Sequence, residues 1–423
     1  MTPIPHLADA AWLKSGAAAR LLALLNGDGE EARAIGGAVR DALWKIPVGE
    51  IDIATTALPE EVMRRVAASG GRAVPTGIDH GTVTAILDGR PFEVTTLRED
   101  VETFGRKARV MFGRDWKTDA ERRDFTINAL SASPDGTVHD YVGALDDISA
   151  RRVRFIGEPR RRIEEDYLRI LRFFRFHAYF GNGAPDAAGL HACISERGGL
   201  ETLSRERVRM EMLKLLLAPH ATPTLAVMAE SGLLGMVFGG IGYLASFENL
   251  VKVEAATGAE PDAVRRLGAI GVWVAEDAER LTERLRLANA ESDRLLALEN
   301  WWRIAPDAEK QPAHALLYQL GPRAFGDRVL TAWARSQAGA ADASWRALAD
   351  LPRHWTAPAF PLKAADFTRR GVVAGPALGA VLRAAEVAWI GDDFPLDHAA
   401  LEAIADRAAR SATGASRDKV SRE

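Results

Sequence analysis

The stretch AIGGAVRDALWKIPVGEIDIATT, residues 34–56, limits most sharply what this chain can fold into. It reads as a short apolar strand, a Gly-Gly turn, a helix, and a second strand carrying Glu50 and Asp52. Alternate residues of a strand face the same way. Glu50 and Asp52 are therefore expected to aim two carboxylates at one point, with Ile51 and Ile53 packed behind them. Gly36 and Gly37 fall just before a helix start, where bare backbone N–H groups can meet phosphate. Metal-holding carboxylates beside a phosphate cradle suggest chemistry on a nucleoside triphosphate.

The rest of the chain narrows the setting. Its 423 residues allow several domains. The net charge of −4 excludes bulk basic character, so any nucleic-acid contact must come from a local patch. The single cysteine, Cys193, excludes a disulfide framework and a cysteine-based zinc site, and it fits a reducing cytoplasm. No signal-peptide pattern opens the sequence. The most apolar run, residues 232–246, is too short and glycine-rich to span a membrane. A cytoplasmic protein with no membrane association is expected.

Periodicity predicts a helix over 8–26, a helix over 59–68, and strands over 72–75, 81–87 and 91–97. The turn Asp88-Gly89-Arg90 joins the last two as a hairpin. Residues 98–119 are charged and aperiodic and read as a mobile loop. A helix over 119–131, a strand over 137–140 and a strong helix over 160–179 follow. Strand signals fade after Arg151, and the remainder reads as helical. Residues 351–363 form a proline-rich connector, and the end from Thr413 is expected to be disordered.

Four groups of residues carry chemistry. Glu50 and Asp52 suit divalent metal, with Glu93 on a neighbouring strand as a third candidate ligand; alone, such a pair could equally be the solvated face of an edge strand. Gly36, Gly37 and Arg40 could cradle and clamp a triphosphate, although Arg40 could also be a surface ion pair. In RRDFTIN, Arg123 and Asp124 could read a sugar and a phosphate, or simply cap a helix. Asp166 and Arg169 lie i, i+3 on a predicted helix. A carboxylate only accepts hydrogen bonds and a guanidinium only donates. Such a pair can take cytosine and adenine, which show an amino group beside a ring acceptor, and reject guanine and uracil; taken alone, it is more often a surface i, i+3 ion pair. Arg172 and Arg175 extend that stripe. Residues 151–175 hold nine arginines against four acids, the local basic patch that the net charge conceals, and RNA backbone is a reasonable partner.

GGAVRD, EID, RRDFTINA and EDYLRILRFFRF, in this order and spacing, resemble the class II tRNA nucleotidyltransferase/poly(A) polymerase family, and bacterial CCA-adding members most. ERVRMEMLKLL at 206–216 looks like the family's next helix. The resemblance implies an α/β nucleotidyltransferase-fold head followed by all-α neck, body and tail, here 1–150, 151–217, 218–350 and 351–423. It implies Mg²⁺-dependent transfer of CMP and AMP from CTP and ATP to a tRNA 3′ end, with pyrophosphate released. Carried across, Glu50 and Asp52 would hold metal, and Gly37 and Arg40 would contact triphosphate. Arg123 with Asp124 would contact the sugar, and Asp166 and Arg169 would read the base. Arg172 and Arg175 would meet triphosphate or RNA. The family usually carries Asp where Glu50 stands. A poly(A) polymerase, or an enzyme adding only CC or only A, is the nearest alternative. An RNA-binding protein with an impaired catalytic head is an alternative from another class.

Overall fold

The computed structural model describes residues 5–104, 107–306 and 310–420. The first element pair shows how the chain departs from simple periodicity. The expected helix over 8–26 is two helices, α1 (Ala11–Lys14) and α2 (Gly16–Leu25), broken where Ser15 is extended and Gly16 takes a φ of 87°. Leu21, Leu22 and Leu25 of α2 are buried, and Leu7 and Trp12 pack against them.

β1 (Ala32–Ile35), α3 (Gly37–Leu43), β2 (Asp52–Thr55) and α4 (Pro59–Ala68) follow as the sequence predicts, except that Glu50 lies ahead of β2 rather than in it. Then come β3 (Arg72–Gly77), β4 (Thr82–Leu87) and β5 (Arg90–Thr96). Asp88 and Gly89 both have positive φ, 53° and 72°, the backbone that a tight two-residue hairpin needs. Residues 98–119 do not form the expected loop. They make an antiparallel hairpin of β6 (Arg98–Phe104) and β7 (Lys107–Phe112), then enter α5 (Trp116–Glu121). The two strands pair only with each other, apart from the seven-stranded sheet.

The helix expected over 119–131 is also corrected. α5 stops at Glu121, a single 3-10 turn covers Thr126–Asn128, and β8 (Ser131–Ala132) and β9 (Val138–His139) close the sheet. The seven strands run in the order β3-β4-β5-β2-β1-β8-β9. All pairs are antiparallel except β2 with β5. On one face Ile53, Val83, Ala85 and Val94 pack against α2 and α4. The alternation sends Asp52 and Glu93 to the opposite face.

After α6 (Ala144–Ala150) the chain is helical: α7 (Pro159–Glu165), α8 (Leu168–Phe180), α9 (Ala187–Ser195), α10 (Arg205–Leu216), α11 (Ala221–Glu230) and α12 (Leu233–Phe238). The long helix expected over 160–179 is thus two, because Asp166 adopts extended backbone (φ −157°, ψ 105°). α8 is fixed to the sheet domain by aromatic packing. Phe155 lies 4.8 Å from Phe125 and stacks on Phe173 at 5.4 Å, between ring centroids.

The chain divides into two compact units, Met1–Gly242 with Arg284–Arg286, and Tyr243–Glu283 with Leu287–Glu423. Among its described residues the second has helices and no strands. One of its cores surrounds Trp333, Phe325 and Leu250, and another surrounds Trp389 and Phe367. Its last helix, His398–Val420, continues past Thr413, where the sequence suggests order ends; residues 421–423 lie outside the described residues. Among the described residues no helix is long and apolar enough to cross a membrane.

Phe155 is fully buried between the sheet domain and α8. Phe155→Ala is expected to cost about 3–5 kcal/mol in denaturant unfolding. A cost below about 1 kcal/mol would show that this contact does not seat α8.

Candidate active site

β1 ends at Ile35, whose register partner on β2 is Asp52. The chain then turns through Gly36, with φ 62° and ψ −118°. A Cβ there would meet its neighbours at ordinary distances, so the backbone angle is what demands glycine. Asp52 therefore stands across from the bare Gly36-Gly37 backbone. The parallel register pairs Ile53 with Val94, which brings Glu93 beside Asp52. Desolvation in the cleft pushes the Asp52 carboxyl above the usual carboxylate range, and Glu93 and then Glu50 add to it, with Arg123 opposing.

Opposite this acidic edge lies an arginine wall. An open cleft of about 560 Å³ is lined by Gly36, Gly37, Asp52, Asp124, Asn128, Asp166 and Phe176 together with Arg40, Arg122, Arg123, Arg169, Arg172, Arg175 and Arg207. Seven arginines against three aspartates make the lining strongly positive on a net acidic chain. Every predicted site residue except Glu50 and Glu93 lines this cleft; Glu50 acts on it through its charge.

Each arginine is held by a carboxylate. Arg40 is only 7% exposed. Its Nε donates to Asp41 Oδ1 at 2.9 Å and its Nη1 to Asn128 Oδ1 at 2.7 Å, and its guanidinium lies 4.0 Å from the Phe180 ring centre. Burial lowers its pKa, and Asp41 works against that. Arg122 and Arg123 both bond Asp119, at 2.7 and 3.0 Å. Burial alone would push the Asp119 carboxyl up, but Arg123 and Arg122 hold it below the usual range. Arg172 pairs with Asp124 at 2.6 Å, and Arg175 with Glu211 at 2.5 Å. Both guanidiniums also cover the Phe176 ring, at 5.3 and 4.3 Å. These contacts fix the donors before any ligand arrives.

Asp124 joins several of these parts. It receives Arg172, the Asn128 amide at 3.2 Å and its neighbour's Phe125 N–H at 2.9 Å. Desolvation would raise its pKa, yet Arg172 and these hydrogen bonds hold it low. Arg123 also donates to the Asn128 carbonyl at 3.4 Å. Asn128 thus ties Arg40, Asp124 and Arg123 together rather than facing a ligand alone.

Asp166 and Arg169 both line the cleft, but they do not pair with each other as a shared helix face would suggest. Asp166 sits in the break between α7 and α8. Its Oδ1 accepts the Leu168 N–H at 3.1 Å, and its Oδ2 pairs with Arg207 of α10 at 2.5 Å. Arg169 pairs with Glu165 and donates to the Arg162 carbonyl at 2.8 Å. Next to the break, the Tyr167 ring lies so close to Gly199 that a Cβ there would come within 1.9 Å of it. Glu211 and the specific role of Arg207 are not visible in local sequence, because each acts on a residue distant in the chain; Asp119 has nearby partners, but its burial shows only in the packed structure.

The arrangement matches known proteins. Residues 32–154 match the Poly A polymerase head domain, and residues 190–243 match the probable RNA and SrmB-binding site of polymerase A. The chain is 34% identical over 385 residues to CCA tRNA nucleotidyltransferase 1, mitochondrial, of Danio rerio, covering 85% of this chain and 83% of that one. It is 33% identical over 375 residues to the CCA-adding enzyme of Limosilactobacillus fermentum, covering 86% and 89%. The chain belongs to the CCA-adding tRNA nucleotidyltransferase family. In three dimensions this nucleotidyltransferase is similar to the Bacillus stearothermophilus CCA-adding enzyme in complex with CTP, with a TM-score of 0.76 and 28% identity over 93% of this chain and 96% of that one. Family members work with a divalent metal. Among the described residues no three His, Cys, Asp or Glu side chains form a ready-made metal centre. The residues still fit such an ion. The crowding of Asp52, Glu93 and Glu50 is relieved by a cation, and substrate phosphates can complete its ligands.

Asp124 binds fewer protons folded than unfolded. Its stabilising contribution is therefore full above the unfolded carboxylate pKa of about 4 and disappears as pH falls through its lower folded value. Asp124→Asn should lower the melting temperature clearly at neutral pH and much less in acid. A melting difference independent of pH would contradict this.

Proposed function

We propose that this chain adds CMP and AMP to the 3′ end of tRNA without a template, consuming CTP and ATP and releasing pyrophosphate. The observation that carries this is one cleft lined by the Asp52 edge, the Gly36-Gly37 turn, the arginine wall, and both Asp166 and Arg169. The RNA 3′-hydroxyl attacks the α-phosphorus of the bound nucleotide. Gly36, Gly37 and Arg40 border the triphosphate, and Arg40 holds its charge in place through Asp41 and Asn128. Arg123 and Asp124 contact the sugar. Asp166 accepts from the amino group of cytosine or adenine, and Arg169 donates to the adjacent ring nitrogen. Arg172 and Arg175 complete the positive wall for triphosphate or RNA. Glu50 and Asp52, with Glu93, would hold Mg²⁺, which when bound supplies charge stabilisation at the reacting phosphate. The head, neck, body and tail division at 150, 217 and 350 is part of this proposal. So is the cytoplasm as its compartment, which the buried, unreactive Cys193 suits.

The test is purified protein with tRNA lacking CCA, given CTP and ATP singly and together. CC should form with CTP alone and CCA with both. Long A tails without C incorporation would overturn the proposal.

The metal role has a readout that does not depend on activity. The raised Asp52 carboxyl favours the folded state below its unfolded pKa, and that benefit is lost as pH rises through the folded value. At neutral pH Asp52→Asn should therefore melt higher than the natural protein without divalent ions. The natural protein should gain stability from added Mg²⁺, and the variant should not. Turnover of the variant should fall by roughly 10²-fold or more. Equal Mg²⁺ stabilisation of both proteins would remove Asp52 from the metal site.

A further inference from the structure

We infer that Arg207 is a positioning residue that sets nucleobase selectivity by fixing the carboxylate of Asp166. The inference rests on the proposed base-reading role of Asp166 and Arg169. A lone aspartate in a helix break can turn about both side-chain torsions. Here both oxygens are occupied on one side: Leu168 N–H holds Oδ1 at 3.1 Å and Arg207 Nη2 holds Oδ2 at 2.5 Å. Two anchors fix the plane of a carboxylate, and each oxygen keeps a further lone pair for a base. The Asp166 and Arg207 side chains are 26% and 19% exposed, so the pair is partly withdrawn from water but still open to the cleft. The break itself is held by tertiary contact, with the Tyr167 ring seated on Gly199.

α10 performs a second and separable task four residues on. Glu211, on the same helix face as Arg207, holds Arg175 at 2.5 Å. Arg175 belongs to the wall proposed for triphosphate or RNA, which every nucleotide shares. Arg207 instead braces the group that tells one base from another. α10 therefore separates selectivity from general binding along one face. Loss of Arg207 frees the Asp166 carboxylate to rotate, and the ordered pattern of acceptor beside donor is blurred. Loss of the Glu211 charge affects all nucleotides alike.

The test compares Arg207→Ala, Arg207→Lys and Glu211→Gln in the full chain, by kcat/KM for CTP, ATP, UTP and GTP on tRNA substrates. For Arg207→Ala the preference for CTP over UTP should fall about tenfold, the worth of one charge-assisted hydrogen bond. Arg207→Lys should recover part of that preference, since it keeps the charge but not the planar geometry. If the alanine variant does not fold, the lysine variant's intermediate preference decides. Glu211→Gln should raise KM for the four nucleotides together and leave their ratios unchanged. On an Asp166→Ala background, removing Arg207 should change the ratios no further. A uniform loss of rate in the Arg207 variants with unchanged ratios would overturn the inference. So would an additive effect on the Asp166→Ala background. If the natural protein itself does not prefer CTP and ATP, the base-reading proposal fails first, and that outcome is distinct.

Discussion

The ion pair between Asp124 and Arg172 is the contact on which the cleft depends. It joins residues 48 apart in sequence, one on the sheet domain and one on α8. Around it, Asn128 links Arg40 to Asp124, and Phe125 packs beneath against Phe155, Phe173 and Phe176. The buried aromatic rings form a floor beneath the hydrogen-bonded network, and the network in turn orients its charges. Breaking a withdrawn pair of this kind by removing one partner leaves an uncompensated charge, with a cost of about 3–5 kcal/mol where burial is complete and less here, where Arg172 remains a third exposed.

A second principle repeats around the wall. Arg40 with Asp41, Arg123 with Asp119, Arg172 with Asp124, Arg175 with Glu211, Arg169 with Glu165 and Arg207 with Asp166 are all pairs. Free arginines would meet a triphosphate more strongly but lose side-chain freedom on doing so. Paired arginines have already lost it. On the proposed reading, metal ions and phosphates would meet fixed donors on one side and the crowded carboxylates of Asp52, Glu93 and Glu50 on the other. Glu50 lies ahead of β2, and its charge still bears on Asp52.

Much of this was legible in the sequence because it is local. The Gly36-Gly37 turn, the Asp52 strand, the hairpin at Asp88-Gly89 and the apolar face of α4 each declare themselves within a few residues. The breaks were not legible. Residues 159–180 have helix-forming composition throughout, and the interruption at Asp166 is imposed by Arg207 and by Tyr167 against Gly199, both far along the chain. The same holds for RRDFTINAL, whose apolar spacing suits a helix. The strand bonds at Ser131 and the Asp124 contacts pull it into a turn instead. β6 and β7 escaped notice because residues 98–112 are rich in charge and show no clear apolar alternation. Asp119 looks like an ordinary surface acid of a helix, and only the packed structure shows it buried beneath two arginines.

The central claim of the proposal is that Asp166 and Arg169, each already held by a partner, recognise the base before any chemistry occurs. Calorimetric titration of the full chain with CTP, ATP, UTP and GTP at one fixed Mg²⁺ concentration, without RNA, measures this directly. CTP and ATP should bind at least about tenfold more tightly than UTP and GTP. Equal affinities for all four nucleotides would contradict the claim.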